Sequence, residues 1–209
     1  MSSTSVKSKG VSLLSKTSKM PGFSFSISAF ECVTGSKLAE VPGSVCEDCY
    51  ARKGFYHMPV VKNALSERLL ALQASNFVDI MVMELEKKNE PHFRWFDSGD
   101  VLEVSHCLKI IAVCERTPHI KHWAPTKEPK LWAKAFKMHP QPKNLIVRLS
   151  APMKDDVVKP TWTKHTSSVQ SKEGSVKGRI CPAPQQNNTC GDCRACWDKR
   201  VPNIVYKEH

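Results

Sequence analysis

The chain has 209 residues, room for one sizeable domain, and its 41% hydrophobic and 24% charged residues match a soluble globular protein. A formal charge of +11 implies attraction to polyanions, nucleic acid first among them, and no apolar run approaches the roughly 18 residues of a membrane span. The Ser/Lys-rich start lacks the apolar core of a secretory signal, so a cytoplasmic chain with reduced thiols is expected, without a disulfide framework.

In chain order, residues 1–20 read as a disordered basic arm, with Lys7, Lys9, Lys16 and Lys19 among serines and threonines and no acidic residue. The segment FSFSISAFEC alternates Phe23, Phe25 and Ile27 with serines, the pattern of a half-buried strand that delivers Cys32 at its end. A loop punctuated by Gly and Pro then carries Cys46 and Cys49. From Val60 to about Lys88 the residues Leu65, Leu69, Leu72, Ile80, Met83 and Leu85 recur at helical spacing, with a break expected near Asn76. HFRWF reads as a strand, DSGD as a turn, VLEVSHCLKIIAVCER as a helix and HIKHWA as a strand. PTKEP is a turn, KLWAKAFKM a short helix and NLIVRLS a strand.

Four strands alternating with helices at a spacing of about 25 residues predict an α/β fold, a partial (βα) barrel of parallel strands over residues 21–153. In such sheets the strand-to-helix turns share one edge, and function gathers there. These turns carry Asp97, Ser98, Gly99 and Asp100, then Thr126, Lys127 and Glu128, then Arg148 and Ser150. Asp100 also suits the N-cap of the following helix. Residues 154–209 read as a polar loop leading to a cysteine-rich metal-binding extension.

Seven of the nine cysteines form two groups. Cys32, Cys46 and Cys49 make C-x13-C-x2-C, and Cys181, Cys190, Cys193 and Cys196 make C-x8-C-x2-C-x2-C. A C-x2-C-x2-C run wraps the chain around a compact object, as in ferredoxins holding a [4Fe-4S] cluster, so one or two such clusters are expected. Zinc stays open as the alternative, with Cys46 and Cys49 joining two C-terminal thiols in one four-thiolate site, and unliganded thiols are the third possibility. Three thiolates on a four-iron cluster leave one iron free, the mark of a centre that does chemistry, whereas four close the second cluster. Cys107 and Cys114 share an apolar helix face with Ile110 and Ile111 and read as core.

The three-cysteine motif ending CYARKG, the repeated βα units and the cysteine-rich tail distantly resemble the radical S-adenosylmethionine superfamily. The phrases VPGSVCEDCYARKG, FRWFDSGD, WAPTKEP, RLSAP and CGDCRACW more closely resemble a small phage-borne family named after a mycobacteriophage gene product, over most of residues 20–209. The superfamily likeness implies that Cys32, Cys46 and Cys49 hold a cluster whose free iron chelates S-adenosylmethionine. One electron then cleaves the sulfonium and gives a 5′-deoxyadenosyl radical. It also implies that Asp97, Ser98 and Asp100 accept hydrogen bonds from the methionine ammonium, and that Lys127 or Arg148 binds the carboxylate. The superfamily's usual motif is C-x3-C-x2-C, whereas the first gap here is thirteen residues and Asp48 stands before the last cysteine.

Two functions follow as expectations. The first is an iron–sulfur, radical-enzyme-like protein that modifies nucleic acid, tRNA or DNA. The second is a non-enzymatic, metal-stapled binding module, a phage effector that contacts host nucleic acid through its basic surface and arm, or a host protein. Trp162 and Trp197, beside Lys and Arg, suit stacking in the second reading.

Overall fold

The helical stretch after Val60 forms two helices, α2 (Pro59–Gln73) and α3 (Phe77–Lys88), divided where the sequence places the break. Proline at the first position of α2 costs nothing, because that backbone nitrogen has no helical partner. The end of α2 is held by Lys109, whose ammonium donates to the carbonyls of Leu72, Gln73 and Ala74 at 2.7, 3.0 and 2.9 Å. Asn89 in the left-handed conformation, φ 48°, closes α3.

This computed structural model describes residues 12–159 and 161–208. Around those two helices the chain runs β1 (Phe23–Phe25), α1 (Val33–Leu38), β2 (His92–Trp95), α4 (Val104–Arg116), β3 (Lys121–Thr126), α5 (Pro129–Met138) and β4 (Leu145–Ser150). Three further strands follow, β5 (Thr166–Gln170), β6 (Arg179–Ile180) and β7 (Asn203–Lys207). The strands form one sheet in the order β1-β2-β3-β4-β5-β7-β6, and every pairing is parallel. The fold class is therefore α/β with a parallel sheet, as the alternating pattern requires. The sheet is open, with β1 and β6 at its edges, so the strands of the expected partial barrel do not close.

Alternation along the strands sends their side chains to two different environments. Phe25, Phe93, Trp95, Ala124, Leu145 and Val147 pack with Met81 and Leu85 of α3, Ile110 and Ile111 of α4, and Trp132 and Ala135 of α5 in one continuous core. Cys107 and Cys114 lie in this core, fully buried, as their helical spacing predicts. The intervening residues Ser24, Arg94, Trp123, Arg148 and Tyr206 project from the opposite face. There Trp123 packs with Met20 and Trp197, and Tyr206, Cys190 and Cys196 border that second cluster.

Three expectations change. Residues 1–11 of the basic arm lie outside the described residues, but 12–20 pack against the domain. Leu13 and Leu14 join the main core, and Ser15 pairs with Ser24 through two backbone hydrogen bonds of 2.8 Å, covering the free edge of β1. Residues 154–178 are not simply an irregular loop, because they contain β5. The helix expected from Val101 begins at Val104, and Asp100 does not cap it.

Candidate metal centre

Cys32 ends a short turn after β1 and directly precedes α1, while Cys46 and Cys49 come from the loop ahead of another turn, Tyr50–Arg52. All follow the carboxyl end of β1, on the edge of the sheet where α/β proteins place their chemistry. Gly35 shows how closely the chain gathers here. A methyl group on it would lie 2.9 Å from Cys32 Cβ, 3.5 Å from Cys32 Sγ and 3.8 Å from Cys46 Sγ. A hydrogen is the only side chain that leaves this niche to the thiols. Burial pushes the Cys32 thiol up to about 12, reinforced by Asp100, Cys49 and Cys46. Burial also raises Cys46, against the opposing charge of Lys127. Raised in this way, the Cys32 and Cys46 thiols favour their protonated forms, and a cation that binds them displaces those protons.

Among the described residues, no group of three or more His, Cys, Asp or Glu is spaced to hold one metal ion. A single zinc needs sulfurs about 3.8 Å apart, set by Zn–S bonds of about 2.3 Å. A polynuclear core takes its sulfurs at different irons and suits a wider arrangement. Thiolate donors suit either kind of centre, and Gly35 leaves room beside Cys32 and Cys46.

The turn residues divide. Asp100 is buried and joins two turns: it accepts from Val101 N at 2.8 Å, Thr126 Oγ1 at 2.8 Å and Lys127 N at 2.7 Å. Burial raises its carboxyl to about 6 despite those donors. Its field reaches Cys32, and that of Lys127 reaches Cys46, so these two residues neighbour the trio. Glu128 Oε1 accepts from Thr34 N at 2.9 Å and ties the start of α1 to the same turn. Asp97 is occupied differently, accepting Ser24 Oγ at 2.7 Å, Tyr56 Oη at 3.1 Å and the Ser26 hydroxyl. Ser98 Oγ donates to Ile27 O at 2.9 Å. Gly99 is obligatory between them: its φ is +82°, and a Cβ there would sit 2.8 Å from Ile27 O.

Arg148 is elsewhere. Fully buried, it spends its guanidinium on six carbonyls: Cys196 and Thr166, Val201 and Pro202, Ala195 and Asp198, at 2.9–3.5 Å. It is the anchor of the C-terminal loop rather than a neighbour of the trio.

That loop forms the second candidate centre. Cys181, Cys190, Cys193 and Cys196 line one small cavity, with Ile180, Pro182, Trp197 and Ile204 among its apolar walls. Burial lifts Cys196 to about 11, against the hydrogen bond with Tyr206 Oη at 3.4 Å, and burial likewise raises Cys190. Cys190 N donates to Lys19 O at 2.8 Å, so the segment before β1 braces the quartet. The lining of the quartet's cavity includes none of Cys32, Cys46 and Cys49.

The model of the family described as Gene product 88 matches residues 3–199, nearly the whole chain. The chain belongs to that family. This agrees with the phage gene-product resemblance of its sequence phrases, and the match spans both cysteine groups of this Gene product 88 chain. No curated protein and no solved structure matches it. Among the described residues, no helix of the Gene product 88 chain is long and apolar enough to cross a membrane.

One residue of the family member escaped the sequence reading. Arg94, within β2, lies 4.7 Å from the Trp123 ring centroid and in the field of Tyr50, Asp97, Tyr206 and Cys196. It therefore lies near Cys196 of the quartet and near Tyr50, the residue that follows Cys49. Its place inside a short strand gave no hint of this.

Proposed function

We propose that this protein is a two-centre iron–sulfur protein of the radical S-adenosylmethionine kind, built on a partial (βα) barrel and acting on nucleic acid in the cytoplasm. Cys32, Cys46 and Cys49 would hold a [4Fe-4S] cluster with one iron free for S-adenosylmethionine. Cys181, Cys190, Cys193 and Cys196 would hold a second, closed cluster. The observation that carries this reading is the convergence of Cys32 and Cys46 on the niche kept clear by Gly35, at the carboxyl edge of a parallel sheet. When bound, such a cluster would supply the electron that cleaves the sulfonium of S-adenosylmethionine.

The chain's own residues prepare that edge. Asp100 locks two turns together and keeps spare acceptor capacity at Oδ2, suited to an ammonium. Lys127 brings a cation beside Cys46, suited to a carboxylate. Phe30 and Tyr50, each 51% exposed, give the rim an aromatic surface that sheds water. Asp97 and Ser98 support this edge through contacts inside the fold. Arg148 is replaced in the cofactor role by Lys127.

The test is anaerobic incubation of iron-loaded protein with S-adenosylmethionine and dithionite. The wild type is expected to release 5′-deoxyadenosine, Cys46→Ala at least 100-fold less, and Lys127→Ala an intermediate amount. Iron-loaded wild type that releases none would overturn the assignment. One observation favours the non-enzymatic reading instead: the quartet's loop forms a wall of a strongly basic cleft. In that case metal staples a binding surface, and the same incubation leaves the cofactor intact.

A further inference from the structure

At the amino-terminal edge of the sheet, away from the trio, lies a cleft of about 710 Å³. Lys121 at the start of β3, Lys143 just before β4, Arg179, and Arg194, Lys199 and Arg200 of the cysteine loop form its basic lining. Two carboxylates share the wall. Asp198 is already taken by Arg200, with contacts of 2.8–3.2 Å, and Asp192 is exposed. Six cations against two carboxylates leave a strong positive excess. All six cations except Arg194 are exposed, so they stand at the surface as donors for an incoming anion. Like charges are gathered here with few internal partners, an arrangement that costs folding energy and is relieved by a polyanion.

We infer that this cleft binds the phosphodiester backbone of a single-stranded nucleic acid. The shape argues for a strand over a duplex: the cations of this site line a concavity and come from strand starts and loops, not from a helix that could enter a groove. Cations drawn from separate segments around one concavity suit a backbone lying in it, and His92, half-buried among the lining residues, offers a ring beside the path. Cys193 lies in the same wall, so the loop that carries the second cysteine group also shapes the cleft. The inference rests on the nucleic-acid part of the proposed function and is independent of what the thiols bind.

The experiment is fluorescence anisotropy with the full chain as purified and a labelled 12-nucleotide single strand, across a salt series. A duplex of equal length and inorganic tripolyphosphate serve as competitors. Lys121→Glu with Lys143→Glu is expected to weaken binding at least tenfold near 0.1 M salt and to lower the slope of log K against log salt by about 1.4, two phosphate contacts at about 0.7 each. Two charge-matched pairs, Lys130→Glu with Lys134→Glu on α5 and Lys7→Glu with Lys9→Glu in the arm, should stay within twofold. Circular dichroism and thermal unfolding establish that each variant is folded. An equal loss in the α5 pair would reduce the effect to net charge, and loss only in the arm pair would move the site; either overturns the inference. Displacement by tripolyphosphate at matched phosphate concentration would make this a free-polyphosphate site, and tighter duplex binding would exclude a strand. Absence of strand binding at millimolar concentration would also overturn it. Failure of the iron–sulfur reading would appear in metal content and deoxyadenosine release, neither of which this titration measures.

Discussion

Replacing Arg148 with methionine is expected to lower unfolding stability by roughly 3–5 kcal/mol and to release the C-terminal cysteine loop, the largest effect of any single substitution considered. The side chain is fully buried and donates to six carbonyls, five of them in residues 195–202, which otherwise have little regular structure. Methionine fills most of the volume but supplies no donor, so those carbonyls lose their partners inside the protein. Lysine keeps the charge but cannot fan donors to six oxygens, and should recover only part of the loss. Urea unfolding gives the magnitude. Limited proteolysis gives the location, with new cleavage expected between Cys181 and Pro202. A cofactor-binding Arg148 predicts the reverse, intact stability with lost activity, and that outcome would contradict the structural role.

Asp97→Ala is expected to cost roughly 3 kcal/mol through the hydroxyls it leaves behind. Ser24 and Ser26 are buried at 0% and 1% exposure, and both donate to one oxygen of Asp97, while Tyr56 donates to the other. Its removal also takes a negative charge from the surroundings of Arg94, whose Nε is buried without a hydrogen-bond partner. Asp97→Asn keeps the acceptor oxygen and the shape, so it should lose about half as much. Thermal and urea unfolding of the two variants provide the check. Unchanged stability in Asp97→Ala would mean that the carboxylate is free for a ligand after all.

The parts of the fold legible in the sequence are those whose apolar period is unbroken. Helices α4 and α5 and strands β2–β4 carry clear patterns and lie within a few residues of their expected positions. Strand β5 was not legible because its buried residues are hydroxyls. Thr166, Ser167 and Ser168 are 1–4% exposed, and Thr166 donates to Asn203 at 3.0 Å while Ser167 meets Ser150 at 3.1 Å. Hydrogen bonds inside the sheet satisfy a segment that reads as polar loop. The start of α4 was placed early because Val101 and Leu102 are apolar and continue the helical rhythm, yet Asp100 binds Val101 N and holds that stretch as a turn.

The candidate centres were legible in part for similar reasons. Thiols at short spacing announce themselves; Cys32 and Cys46 meet at Gly35, and the quartet lines one cavity. A cation near a strand's carboxyl end is a different matter, since Lys127 and Arg148 look alike in a string of letters. Only the return of the C-terminal loop over β4 gives Arg148 five of its six carbonyls. Asp97, Ser98 and Asp100 look equally free in DSGD, and the serines and turns that occupy them lie some 25 to 70 residues away in the chain. The basic cleft draws on five separate segments, so no window of sequence contains it.

Iron, acid-labile sulfide and zinc measured in anaerobically purified protein test the central assignment most directly, with Cys46→Ala and Cys193→Ala measured alongside. The account predicts iron and sulfide in equal amounts, little zinc, and a loss of about half the iron in each variant, since each removes a ligand from a different cluster. Stoichiometric zinc without sulfide, or bare thiols in all three proteins, would contradict it.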